Sequence, residues 1–191
     1  MDERYRDDER VMCVNAQYYG PKETFKTSYT FSRMGNCWGW ATWRRAWRHM
    51  DLSMSLFPKT SLKKHVKAFG LFRGIMLYYY YWRHDFRLIS SGGDISSWAT
   101  RWNFNIFANN GLTIVPTRNL TINVGMAGGV HYTDTDGDLY SHLKLENLDF
   151  PLDHPTEIKA DRRIRSIEND DFLRIRLSGV SKKFKTGKLH R

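Results

Sequence analysis

Residues 96–116 constrain this chain more than any other stretch, because they spell a helix, its stop and a buried strand in succession. Ser96 and Ser97 can cap a helix N-terminus. Trp98, Trp102 and Ile106 then recur at spacing four, and Asn110-Gly111 supplies a left-handed stop. Leu112-Thr113-Ile114-Val115-Pro116 follows, an apolar run too short for a helix and closed by proline. The same alternation extends in both directions. Val11-Met12-Cys13-Val14 reads as a buried strand ended by the Gly20-Pro21 turn. Trp43, Ala46, Trp47 and Met50 share one face of a helix predicted over 41–50, with Arg44, Arg45 and Arg48 on the other, and both Trp43 and Trp47 are assigned to the core. Helices are predicted over 60–69 and 71–84, separated by Gly70, and Leu120 to Val124 alternates as a further strand. Gly125, Gly128 and Gly129 open the loop after it. Helices interleaved with short strands predict an α/β domain.

The chain has 191 residues, enough for one domain, or a domain plus a tail, with its own core. Aromatics reach 15%, a share that lines either a core or a ligand groove. With only Cys13 and Cys37, neither a disulfide framework nor a four-cysteine metal site can form, and a reducing compartment is expected. Net charge is +10, which puts nucleic acid or an anionic membrane among the candidate partners. Seven of those ten charges, however, are basic residues after Asp171 with no acidic residue among them, so the first 171 residues carry only three. The almost wholly charged Met1 to Arg10 lacks the apolar run of a secretory signal, and Leu71 to Trp82 falls short of the ~20 residues that span a bilayer.

Phe-Ser-Arg-Met-Gly-Asn-Cys-Trp-Gly-Trp-Ala-Thr-Trp-Arg-Arg-Ala-Trp-Arg-His-Met, residues 31–50, resembles a family of bacterial glycosyltransferases with the GT-A nucleotide-diphospho-sugar transferase fold. Two further stretches carry the resemblance: Ser97-Trp98-Ala99-Thr100-Arg101-Trp102 running on to Asn110–Pro116, and Asn119–Gly125 leading through glycines to Val130-His131. The likeness covers residues 3 to 135 and is silent on the tail. It implies a partial GT-A-like domain over 1–155, the C-terminal, acceptor-side half of a mixed sheet with flanking helices. A charged C-terminal extension over 156–191 follows, its 161–177 forming a helix or strand pair and its basic tail expected to be mobile from about 178. The nucleotide-binding first half, with its Asp-x-Asp, normally precedes the segment that looks like Glu3 to Val14, so the donor half is expected to be missing. An exposed sheet edge and apolar face are then expected where that half would pack, with a tendency to associate.

The family's activity is transfer of a sugar from a nucleotide-diphosphate donor to a glycan or lipid-linked acceptor. The intact fold is expected to use a divalent cation, Mn or Mg, on the diphosphate, with weak binding or none by this chain alone. An acidic residue beside the first Trp of the Trp-x-x-x-Trp helix serves as base in many relatives. Ser97 and Ala99 stand there in this chain, and the nearest carboxylate is Asp94, a candidate base or an ordinary capping aspartate. His131 matches the family's late metal-site histidine, with a structural histidine as the alternative. Trp38, Gly39, Trp40, Trp98 and Trp102 are candidates for a surface on which sugar rings stack, and Arg101 for phosphate or a solvated helix face. Asp134-Thr135-Asp136-Gly137-Asp138 reads as an Asx turn, since an EF-hand would need glutamate where Leu145 stands.

Three functions follow as expectations. The first is a glycosyltransferase, or its acceptor half, acting on surface-polysaccharide precursors in the cytoplasm or at the inner face of the membrane. The second is a non-catalytic remnant or accessory module working with a donor-half polypeptide or by self-association. The third is a binder of anionic membrane or nucleic acid through Val180 to Arg191, a segment without any recognised RNA- or DNA-binding motif.

Overall fold

The computed structural model describes residues 3–95, 97–122 and 143–186, with side chains described through Ile175. It is a mixed α/β structure. Four strands, β1 (Val11–Asn15), β2 (Tyr29–Ser32), β3 (Trp40–Thr42) and β4 (Leu112–Pro116), form a sheet in the order β2-β4-β1-β3. β1 and β4 are parallel, and β2 and β3 flank them antiparallel. The two parallel strands are the two apolar runs read from the sequence, and such runs suit central strands buried on both faces. Period two then divides their side chains. Leu112 and Ile114 join Val11, Tyr5, Tyr29, Phe31 and Trp43, whereas Val115 packs with Tyr18, Phe25 and Ile164.

The helices are α1 (Arg44–Trp47), α2 (Leu62–Phe69), α3 (Leu71–Met76), α4 (Arg83–Ser90), α5 (Trp98–Ala108) and α6 (Arg162–Thr186), with a π-helical stretch Leu77–Trp82 joining α3 to α4. Ser61 caps α2 by accepting from the Lys64 N–H, and Gly70, at φ +84°, turns the chain into α3. The helices bury a second, strongly aromatic core of Phe57, Phe69, Leu77, Trp82, Phe104 and Phe107. α5 ends as the sequence predicts. Asn110 takes φ +57°, its N–H donates to Phe107 O, and the Gly111 N–H donates to Ile106 O at 2.7 Å, the paired bonds of a Schellman stop.

Three expectations change. The helix predicted over 41–50 shrinks to one turn, because Trp40–Thr42 pair with the free edge of β1, Cys13 opposite Thr42 and Asn15 opposite Trp40. Trp43 is then extended and buried on the sheet while Ala46 and Met50 pack elsewhere, and Trp47 is 40% exposed rather than in the core. Leu120–Ile122 form no strand, and 123–124 lie outside the described residues; the Leu120 N–H donates to Ala16 O at 2.8 Å and the Asn119 side-chain amide donates to Thr121 O at 2.7 Å and Lys144 O at 3.2 Å, isolated bonds rather than a ladder. At α5, Ser97 occupies the N-cap position without a side-chain cap bond.

Residues 153–168 return to the sheet. Ser28 N–H donates to Asp153 O and Asp161 N–H to Phe31 O, along the outer side of β2, so part of the edge expected to be open is met by the chain itself. Ile158 and Ala160 then pack on the β2 cluster, and Ile164, in the first turn of α6, buries its side chain against Tyr18, Phe25 and Val115. The α6 backbone remains helical to Thr186. Among the described residues no helix is long and apolar enough to cross a membrane.

Candidate tryptophan groove and its acidic rim

β3, α1 and the first turns of α5 bring four indoles together. Trp40 lies 5.0 Å from Trp98 and 5.8 Å from Trp47, ring centre to ring centre, and Trp47 lies 5.0 Å from Trp102. Pairing of β3 with β1 fixes Trp40, while the Trp98 to Trp102 spacing stacks two indoles on one face of α5. Trp102 is the buried anchor, in contact with Met12, Cys13 and Ile106, and Trp98 is 40% exposed above it. Trp40, Trp47 and Trp98, with Met50 and Leu52, line an open groove of about 500 Å³. Its walls carry no charged side chain. Such a surface accepts a flat, weakly polar body such as the C–H face of a pyranose ring.

Gly39 has a structural reason to be glycine: φ is +59°, a Cβ would stand 2.9 Å from that of Ala16, and its carbonyl accepts the Ala16 N–H at 2.7 Å as the chain enters β3. Trp38 is half-buried, with its N–H on Asn36 Oδ1, and does not line the groove.

Asp94 and Arg101, separate candidates in the sequence, are partners. The Arg101 guanidinium donates to Asp94 Oδ1 at 2.8 Å and to the Ile95 carbonyl, so it ties down the loop entering α5 from inside the fold. Arg101 is buried at 8% exposure whereas the Asp94 side chain is 86% exposed, which leaves one carboxylate oriented at the surface four residues before Trp98. Arg101 is thus neither a solvated helix face nor a free phosphate ligand. Asp85 on α4 is a functional candidate that the sequence pattern alone did not single out. It is buried, its carboxyl is pushed up by burial and drawn back by His84 and by the charge of Arg101, and its Oδ1 is 3.4 Å from His84 Nδ1. The signal lay in the spacing of Leu77, Trp82 and Asp85, an acid on the inward stripe of an aromatic helix.

His131, the Asp134–Asp138 stretch, Gly125, Gly128 and Gly129 lie outside the described residues. Among the described residues no group of three or more His, Cys, Asp or Glu is placed to hold a metal ion. Cys13 is buried and its thiol is pushed up to about 12 by that burial, a packing residue rather than a nucleophile. Cys37 is exposed as a residue, and partial shielding of its thiol from water shifts it upward.

The chain matches no protein-family model, no curated protein and no solved structure.

Proposed function

We propose that this chain is the acceptor-binding part of a GT-A-type glycosyltransferase, and that the tryptophan groove seats the sugar acceptor. The observation carrying the reading is the three-walled aromatic groove, with solvent-facing Trp47 and Trp98 over a buried Trp102. Indole faces exclude water from the C–H side of a sugar ring and leave its hydroxyls free at the rim. The Asp94 carboxylate, held by Arg101 in the loop that enters α5 four residues before Trp98, accepts the proton of the attacking acceptor hydroxyl. The nucleotide-diphospho-sugar donor falls to residues other than those described, from a donor-half polypeptide or another part of the same assembly.

The test is titration of the chain with oligosaccharides of bacterial surface polysaccharides, read by tryptophan fluorescence and saturation-transfer NMR. Binding that falls about tenfold in Trp98→Ala, the loss of ~1.4 kcal/mol of stacking, supports the reading. In the reconstituted enzyme Asp94→Asn should abolish transfer while leaving saccharide binding intact. No saccharide binding by the wild type, or a Trp98→Ala variant that binds as well, overturns it.

A second reading, peripheral attachment to an anionic membrane, is favoured by Leu71, Phe72 and Tyr80, which stand 70%, 50% and 67% exposed along α3 and the π-helical stretch. Removing residues 178–191 should then abolish binding to anionic vesicles and leave saccharide binding unchanged.

A further inference from the structure

A cavity of about 530 Å³ lies between α2, the end of β2 and the first turns of α6. Arg33, Lys64, Lys67, Arg162 and Arg165 line it. The two carboxylates in the same wall are engaged elsewhere, Asp161 with Arg163 at 2.7 Å and Glu168 with Arg73 at 3.2 Å. Among the described residues none of the five lining cations has a carboxylate partner.

What the cations do touch is backbone. Lys64 Nζ donates to Ala108 O at 2.9 Å, and Arg33 to the carbonyls of Asn110 and Gly111, at the negative end of the α5 dipole. Arg165 donates to Lys67 O at 3.2 Å. These bonds aim the side chains but do not neutralise them. The Lys64 ammonium is held below its ordinary range, first by burial and then by the charge of Arg33, and burial does the same to Arg33. Phe69, Phe107 and Ile164 back the cavity from the core and are themselves buried, with Lys64 Nζ 5.0 Å from the centre of the Phe107 ring.

We propose that this cavity binds a phosphate or diphosphate group. A single carboxylate would leave most of the five charges unbalanced, whereas a multiply charged group with several oxygens can meet the arginine forks and the lysines together. No lining residue is shared with the tryptophan groove, and the site stands whether or not that groove binds sugar.

The experiment is calorimetric titration of the full chain with pyrophosphate at low and high salt, repeated with vesicles containing phosphatidate. Lys67→Ala/Arg162→Ala removes two exposed rim cations and should weaken pyrophosphate binding about tenfold. Lys26→Ala/Arg87→Ala, an equal loss of charge at exposed residues that do not line the cavity, should change it less than about twofold. Arg165→Ala, with its fold checked by circular dichroism, should weaken binding further. Vesicles that pyrophosphate displaces assign the phosphate to a lipid headgroup, and pyrophosphate binding without vesicle binding assigns it to a soluble ester; both support the site. Absence of millimolar pyrophosphate binding overturns the proposal, and so does equal weakening in the two double variants.

Discussion

The groove beside α5 is walled by Trp40, Trp47 and Trp98 without a charged side chain, whereas the cavity at the start of α6 is ringed by five cations over Phe69 and Phe107. Each is fixed by one buried arginine nearby. Arg101 reaches from the interior to an exposed carboxylate, Asp94, while Arg73 pairs with Glu168, itself mostly buried and hydrogen-bonded to Ser32 at 2.5 Å. The difference teaches what each ion pair is for. Asp94 costs little to leave in water and is available for chemistry, but Glu168 is pushed up by burial and is tolerated only because Arg73 and Ser32 face it. The first pair orients a surface group; the second fastens α6 to the sheet and the helical core.

The largest effect that would sharpen this comparison is within the groove itself. Trp102→Ala, at 3% exposure, should cost about 4 kcal/mol in urea unfolding, whereas Trp98→Ala, one helical turn earlier, should cost about 1 kcal/mol. Equal losses would break the division between anchor and exposed wall. Next, Arg73→Met should cost about 3 kcal/mol by stranding Glu168, with Arg73→Met/Glu168→Gln recovering most of it; failure of the double variant to recover would mean that Glu168 does not need a cation.

A smaller effect concerns pH. His65 is fully buried against Tyr78, Trp82 and Phe107, its Nδ1 lies 2.8 Å from Ser61 O, and burial holds its pKa below the ordinary 6.5. The unfolded chain therefore binds more protons, so the stability His65 contributes is present above pH 6.5 and is lost as the pH falls below it. Glu168, raised above its ordinary 4.5, gives the opposite slope. Urea midpoints at pH 7.5 and 5.5 in a Glu168→Gln background should fall on acidification, and His65→Phe should flatten that fall. The smallest expected effect on stability is that of Asp94→Asn, whose melting temperature should match the wild type.

Much of the fold is legible in the sequence. The apolar runs at Val11 and Leu112 read as strands, Gly70 and Asn110-Gly111 as helix boundaries, and Trp98 and Trp102 as one helical face, because period and turn chemistry are local properties. Trp47 departs from its expected place for a physical reason: its spacing to Trp43 is helical, but strand pairing at Trp40–Thr42 delays the start of the helix to Arg44, leaves Trp43 extended, and turns the two indoles to different clusters. Arg101 reads as a free cation in the sequence because the residue it meets, Asp94, lies across a loop. The five cations of the α6 cavity are invisible there as a set, since Arg33, Lys64 and Arg165 come from three separate elements.

By itself, then, the sequence determined the α/β class, the central strands, the helix stops and the aromatic wealth, all of them set by residues within a turn or two of one another. Only the tertiary structure decided which indoles face water, which arginine is buried, and that charges more than a hundred residues apart surround one cavity. Burial and charge pairing depend on neighbours that only the folded chain brings together, and no local pattern encodes them.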